Sequence, residues 1–260
     1  MGVVAKLSIA PVKGTALHHP ERVRLERDGV PENRRFYFVN EKGRLFAGSR
    51  HGPMVALRAS YDPGREWLGL GFPDGKELSG PADAEGEAVI TNFWGRDVPG
   101  HVVEGPWSEA VSVYAGEPVR LIRSDRPGYA NDSHPASLVS SASVRELSKR
   151  AGLDGQLDAR RFRMLIEVDG IGPHEEDTWI GCDVRVGGAT IAVIRPDPRC
   201  VVTEQDPETG IRDFETRRNI RAYRRSPDGE ANFGVYADVV TPGDIRVGGA
   251  ISVLEPTVGT

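Results

Sequence analysis

The densest run of chemistry-bearing residues is Arg195-Pro-Asp-Pro-Arg-Cys-Val-Val-Thr-Glu-Gln-Asp-Pro-Glu-Thr-Gly210. An apolar strand, Ala189–Ile194, is expected to run into a loop stiffened by Pro196 and Pro198. That loop presents Arg199 and Cys200 just ahead of Val201-Val202. An arginine beside a thiol favours the thiolate, which is both a nucleophile and a soft metal ligand. The competing reading is a small apolar cysteine packed in a core. The two prolines and the arginine shift the balance toward function. Asp206-Pro-Glu-Thr-Gly210 reads as a turn.

The other candidates are sparser. Cys182 is the only further cysteine, so the chain lacks the four thiolates of a typical iron–sulfur cluster or a Cys-rich zinc site. No disulfide framework follows, and a reduced cytoplasmic protein is the simpler expectation. Cys182 reads as packing. Adjacent His18 and His19 point apart and read as surface residues. His134, Asp132 and Ser140 or Ser141 are hydrolase residue types, but no G-x-S-x-G elbow is present. Gly187-Gly188 and Gly248-Gly249 fit neither a dinucleotide fingerprint nor a P-loop and read as hairpin turns. The net charge of −5 gives no global pull toward nucleic acid or an anionic membrane. Arg217, Arg218, Arg221, Arg224 and Arg225 still form a basic run. It reads as a solvated helix face or, more sharply, as a docking patch for an acidic electron donor.

These residues need a scaffold. The 260 residues suit one to two domains, with no apolar stretch of membrane-spanning length and no signal-peptide pattern. Short β-rich runs recur: Val3–Ile9, Phe36–Val39, Val55–Tyr61, Glu87–Thr91, Val98–Val103, Pro118–Ile122, Phe162–Val168, Asp183–Val186, Ala189–Ile194, Gly234–Val240 and Ile251–Leu254. Turn signals separate them at Glu41-Lys42-Gly43, Pro73-Asp74-Gly75, Val186-Gly187-Gly188 and Pro242-Gly243-Asp244. Helices are expected at Trp107–Tyr114, Ala142–Ala151 and Thr216–Arg225, the second with a capping box at Ser143 and Glu146 and Gly152 at its end. Ser140 and Ser141, ahead of that helix, offer hydroxyls and amides to an anion. Trp67, Trp94, Trp107 and Trp179 read as core anchors. Alternation in Phe162–Val168 puts Phe162, Met164, Ile166 and Val168 on a core face and Arg163, Leu165 and Glu167 on the other. Ser124–Pro135 is polar and linker-like, which puts a boundary near 125. The expected fold is mainly β with a few helices (α+β), in two domains, 1–125 and 126–260.

Several short motifs occur in order: Pro11-Val-Lys-Gly14, Asn33-Arg-Arg-Phe36, Ser49-Arg50, Ser140-Ser-Ala-Ser143, Arg161-Phe-Arg163, Asp177-Thr-Trp-Ile-Gly181, Arg199-Cys200 with Asp206–Gly210, Phe233-Gly-Val-Tyr236 and Pro242–Gly248. Together they resemble MOSC-domain proteins of the subgroup with an N-terminal MOSC β-barrel domain, which includes the mitochondrial amidoxime reducing component and its bacterial relatives. The resemblance covers nearly the whole chain. It implies an N-terminal β-barrel domain packed on a β-barrel MOSC domain. It also implies a molybdenum cofactor (Mo-molybdopterin), ligated through its metal by Cys200. Lys13, Gly14, Arg34 or Arg35, Ser140, Ser141, Arg163 and Arg199 would contact that cofactor. The implied activity is reduction of N-hydroxylated or N-oxide small molecules, with electrons from a separate ferredoxin, flavoprotein or cytochrome-type donor. Two positions depart from the pattern: Leu165 stands where the family has a cofactor-contacting asparagine, and Gly14 stands where the mitochondrial proteins have serine. These departures leave open a non-catalytic cofactor carrier, or a diverged fold with another ligand or chemistry.

Overall fold

A computed structural model describes residues 1–254. In chain order, β1 (Gly2–Leu7), β2 (Arg22–Leu25), β3 (Phe36–Asn40), β4 (Leu45–Phe46), β5 (Arg58–Asp62), β6 (Trp67–Gly71), β7 (Glu77–Pro81), β8 (Ala88–Phe93) and β9 (Arg96–Val102) precede helix α1 (Trp107–Ala115). Then come β10 (Val119–Ser124), β11 (Ala136–Ser140), α2 (Ser141–Arg150), β12 (Ile166–Asp169), β13 (Asp183–Val186), β14 (Ala189–Pro198), α3 (Thr216–Tyr223), β15 (Asn232–Thr241), β16 (Gly243–Arg246) and β17 (Ala250–Val253). The molecule is mainly β with three α-helices among the described residues, as the sequence pattern predicts.

Seven strands close into a barrel in the order β1-β12-β11-β15-β14-β13-β17. Alternate residues of each strand turn inward, and β-branched side chains suit such a pleated, half-buried surface. Val4, Ile166, Val168, Val184, Val186, Ile191, Val193, Val235 and Ile251 fill one core this way. The preceding half of the chain forms a half-barrel. A five-stranded sheet, β4-β3-β10-β9-β8, is accompanied by the three-stranded meander β5-β6-β7. Phe36, Phe38, Leu68, Leu70 and Leu121 pack there with Trp107 and Val111 of α1. Tyr37, Val39, Phe93 and Ile122 pack in a second apolar cluster. The run Phe36-Tyr-Phe-Val39 is buried throughout, so it reads as a continuous apolar strand rather than an alternating one.

The strands of the half-barrel sheets end with β10 at Ser124 and the barrel resumes with β11 at Ala136, while β1 belongs to the barrel. β1 pairs with β12 and β17, and β2 pairs with β16. The two sheet systems are therefore joined through the N-terminal strands. The last six residues of the expected second domain lie outside the described residues.

Several local expectations need correction. Phe162–Val168 is not one strand: Ala159–Phe162 is a 3-10 turn, Arg163 has a left-handed backbone, and the strand starts at Ile166. Leu165 and Met164 are both buried, so period-two alternation does not describe this segment. Val55 belongs to a 3-10 turn and the strand begins at Arg58. The α2 N-cap is Ser140, whose side chain accepts from the Ala142 N–H, whereas Ser143 lies inside the helix. Gly243-Asp244 belongs to β16 rather than to a turn. Trp107 and Trp179 are core residues, but Trp67 and Trp94 are exposed. Among the described residues, no helix is long and apolar enough to cross a membrane.

Candidate functional site

A cavity of about 720 Å³ collects residues from both sheet systems. Lys13 and Gly14 reach it because residues 10–13 pair with residues 34–36. The Lys13 N–H donates to the Phe36 carbonyl at 2.8 Å, and the Arg34 N–H donates to the Ala10 carbonyl at 2.7 Å. Asn33 locks the same corner by accepting from the Ala10 N–H at 3.0 Å. Gly14 sits at φ +91°, where an added Cβ would lie 3.1 Å from the Gly48 nitrogen. A residue without Cβ is needed in that conformation.

The Lys13 ammonium is almost fully buried. It donates to the Ala130 carbonyl at 2.9 Å and to Asp132 Oδ1 at 2.8 Å, and it lies 5.4 Å and 5.5 Å from the Phe93 and Trp94 ring centroids. Burial pulls it down to about 8, against the pull of Asp132 and with the push of Arg34. Arg34 donates to the other oxygen of Asp132. Burial works against the ionised Asp132, but Arg34 and Lys13 overcome it and hold the carboxyl well below the usual carboxylate range.

Arg163 follows the 3-10 turn capped by Asp158, at φ 52°. That backbone directs its side chain across the cavity to the Thr15 carbonyl at 2.7 Å. Burial is the main reason its guanidinium falls to about 10, and Arg34 adds to the effect. Cys200 lies just past β14 and caps the 3-10 turn Val201–Glu204; it is exposed at the cavity. Arg163 and Arg217 lie within electrostatic reach of it. Arg199 turns from the neighbouring thiol to Asp197 and the Phe162 carbonyl, so its charge is largely engaged internally. The loop beyond Cys200 is clamped at both ends. Arg161 holds Asp213 by two 2.6 Å bonds and the Gln205 carbonyl at 2.8 Å, while Gln205 Nε2 donates to the Gly48 carbonyl at 2.8 Å.

Of the residues singled out from sequence, Lys13, Gly14, Arg34, Arg163, Arg199 and Cys200 converge here. Three do not line the cavity. Arg35 donates to the Ser124 carbonyl at 2.6 Å beside Arg123 and Glu66. Ser140 is fully buried as the α2 cap, and Ser141 donates to Glu167 at 2.9 Å. The α2 N-terminus already holds an anionic partner from within the fold: Glu176 accepts from the Ser140 N–H at 3.1 Å and from the Ser143 hydroxyl at 2.8 Å. Three of the five arginines in the basic run are paired, Arg217 with Glu204, Arg218 with Glu215 and Arg224 with Asp177.

Sequence reading missed Asp132 as an ion-pair partner and missed Arg195, Asp197, Tyr236 and Trp94 as cavity residues. Asp132 lies in the segment that reads as a linker. Its signal was an isolated carboxylate among Gly, Asn, Ser and Pro, which spacing does not separate from ordinary loop polarity.

Eight cationic side chains and three carboxylates line the cavity, in a chain of net charge −5. A cationic excess of this kind is electrostatically suited to an anion. A thiophilic metal could take Cys200. No group of three or more His, Cys, Asp or Glu side chains suited to a metal occurs among the described residues, so its other ligands would have to arrive with the ligand.

Two family models match: the MOSC domain over residues 125–252 and the MOSC N-terminal beta barrel domain over residues 1–112. The chain is 25% identical to mitochondrial amidoxime-reducing component 1 of Danio rerio, over 98% of this chain and 84% of that protein. It is 24% identical to the Homo sapiens protein of the same name, over 98% and 83% respectively. The crystal structure of the YUAD protein from Bacillus subtilis aligns over 97% of this chain and 96% of that one at 13% identity, with a TM-score of 0.45, too loose a likeness to carry an argument. The two matched models follow one another along almost the whole chain, and the chain belongs to the MOSC-domain proteins that carry an N-terminal MOSC barrel domain.

Proposed function

We propose that the cavity binds a molybdenum cofactor and that the chain reduces N-oxygenated small molecules with electrons from a separate donor protein. The observation that carries this reading is the meeting of one exposed thiol, Cys200, with Lys13, Arg34 and Arg163 in a single cavity. Cys200 Sγ would hold the metal, and Lys13 Nζ and the two guanidinium groups would hold the pterin phosphate. When bound, the cofactor supplies a metal able to exchange two electrons and take oxygen from nitrogen. The overall conversion is R–NH–OH + 2 e⁻ + 2 H⁺ → R–NH₂ + H₂O. Leu45, Val55 and Val202 give the cavity apolar wall, and the Phe93 and Trp94 rings flank the Lys13 ammonium. Asp132 keeps the Lys13 and Arg34 head groups together before any ligand enters, which lowers the cost of ordering them on binding. The similar mitochondrial proteins are named amidoxime-reducing components, which supports the substrate class.

Leu165 favours a second reading, a non-catalytic cofactor carrier, because its side chain lines the cavity without a polar atom. Ser137 partly answers it: its hydroxyl lines the same wall and accepts from the Leu165 N–H at 3.0 Å. A diverged fold with another ligand is the third reading. The test is molybdenum and pterin analysis of the protein and of Cys200→Ala, both from cells that make the cofactor, followed by turnover of benzamidoxime with a reduced dye. The proposal expects stoichiometric metal and pterin in the parent, loss of metal in the variant, and turnover by the parent alone. Equal metal in both proteins refutes the ligand assignment. Loaded but inactive parent supports the carrier, and a metal-free parent supports the diverged fold.

A further inference from the structure

One cationic side chain in the cavity is positioned by groups that the proposed chemistry does not use. Arg195 lies on β14 opposite Tyr236 of β15, at a register irregularity between Val193 and Arg195. Ile191 and Val193, just upstream, turn into the barrel core. An extra residue in one strand re-aims the side chains beyond it, and here it delivers Arg195 to the cavity.

The guanidinium is held from behind. Its Nε donates to His134 Nε2 at 3.3 Å, and Nη2 donates to the Ser133 hydroxyl at 2.8 Å. It lies over the Tyr236 ring, 5.0 Å from the centroid. An accepting Nε2 puts the imidazole proton on Nδ1, which faces Asp238 Oδ1 at 2.8 Å. Asp238, His134 and Arg195 thus form a line that orients the fork. Among the described residues Nη1 has no hydrogen-bond partner, and no carboxylate lies within salt-bridge distance of Arg195. The nearby carboxylates are engaged elsewhere, Asp132 by Lys13 and Arg34, Asp197 by Arg199. An oriented guanidinium with a free edge and no internal counter-charge is built to meet an outside oxyanion.

We propose that Arg195 is the anchor of a substrate subsite that selects compounds bearing a carboxylate. The subsite deepens the reductase reading and, as an assignment of substrate class, rests on it. Lys13, Arg34 and Arg163 act on one another around Asp132 and suffice for a cofactor phosphate, and Arg195 stands outside that group. Cys200 lies five positions beyond Arg195, at most about 17 Å of extended chain at roughly 3.3 Å per residue. Both line the same cavity, and the subsite places a ligand's carboxylate on Arg195 with its oxygenated nitrogen toward the thiol side.

The test compares 4-carboxybenzamidoxime with benzamidoxime by titration calorimetry on the protein as purified, without turnover. The acid binds about tenfold more tightly to the parent, the size expected of a hydrogen bond to a charged group. In Arg195→Gln the two affinities converge. Arg195→Lys, which keeps the charge but not the fork, retains only part of the preference. Asp238→Asn, at an exposed position, weakens the preference several-fold while circular dichroism is unchanged. The pterin content of Arg195→Gln equals that of the parent. Equal affinities in the parent, a full preference surviving in Arg195→Gln or Arg195→Lys, or a full preference in Asp238→Asn overturns the proposal. Lost pterin in Arg195→Gln assigns the arginine to the cofactor's phosphate and overturns it too. If neither compound is reduced while an Arg195-dependent preference persists, the reductase reading fails and the subsite stands.

Discussion

Lys13 should make the stability of the cofactor-free protein rise with pH in a window where most proteins lose stability. Its ammonium is 5% exposed. Burial, opposed by Asp132, lowers it from 10.5 to about 8. Between about pH 8 and 10.5 the unfolded chain therefore holds a proton that the folded chain has released. Stability rises wherever the unfolded state binds more protons. The drop from 10.5 to about 8, at roughly 1.36 kcal/mol for each pH unit, gives about 3 kcal/mol across the window. The comparison is with Lys13→Met, which removes the titrating group. The other lysines and the tyrosines titrate in both proteins and cancel in the difference. Urea midpoints at pH 7, 8, 9 and 10.5 should show the parent gaining about 3 kcal/mol on the variant, equivalent to about 6–12 °C in Tm. Below pH 8 the difference between the two should be flat. Parallel profiles from pH 7 to 10.5 would refute the argument, because they would mean that the Lys13 ammonium is solvated in the folded protein.

Three further outcomes follow from particular contacts. Ser140→Ala should cost about 1 kcal/mol by loss of the α2 cap and leave pterin content unchanged, since Ser140 does not line the cavity. Gly14→Ala should destabilise by about 1–3 kcal/mol, because alanine at φ +91° is strained and its Cβ crowds the Gly48 nitrogen; a thermal melt measures it. Burial raises the Glu176 carboxyl above its ordinary value of 4.5, so the folded chain keeps a proton that the unfolded chain loses, and that contribution to stability falls as pH rises above 4.5. Glu176→Gln should flatten this fall, and denaturant midpoints between pH 4 and 7 read it out.

Much of the site was legible because it is carried by short ordered motifs. Pro11-Val-Lys-Gly14, Arg161-Phe-Arg163 and Arg199-Cys200 all deliver residues to the cavity. Arg163 arrives there by a different route from the one alternation suggests: a capped 3-10 turn and a left-handed backbone aim it, not a strand. Where expected residues do not reach the cavity, the reason is tertiary. Ser140 and Ser141 have the chemistry of an anion site, but a helix N-terminus binds whatever acid is nearest in space. Here that acid is Glu176, 36 residues along the chain from Ser140 and brought in by the fold. Strands such as β2, β6 and β16 escaped because they are short or broken by glycine, and their pairing partners, not their own residues, make them strands.

By itself the sequence determined the β-rich class, the scarcity of thiols and the short motif that carries Cys200. Those are local properties: residue type, period and spacing survive in an unfolded chain. Tertiary structure decided which charges neutralise one another. Asp132 joins Lys13 and Arg34 from 119 and 98 residues away, Asp197 engages Arg199, and Arg195 is left with a free edge because His134 and Asp238 hold it from behind. Electrostatic pairing depends on distance in space and on burial, and neither is written in the order of residues along the chain.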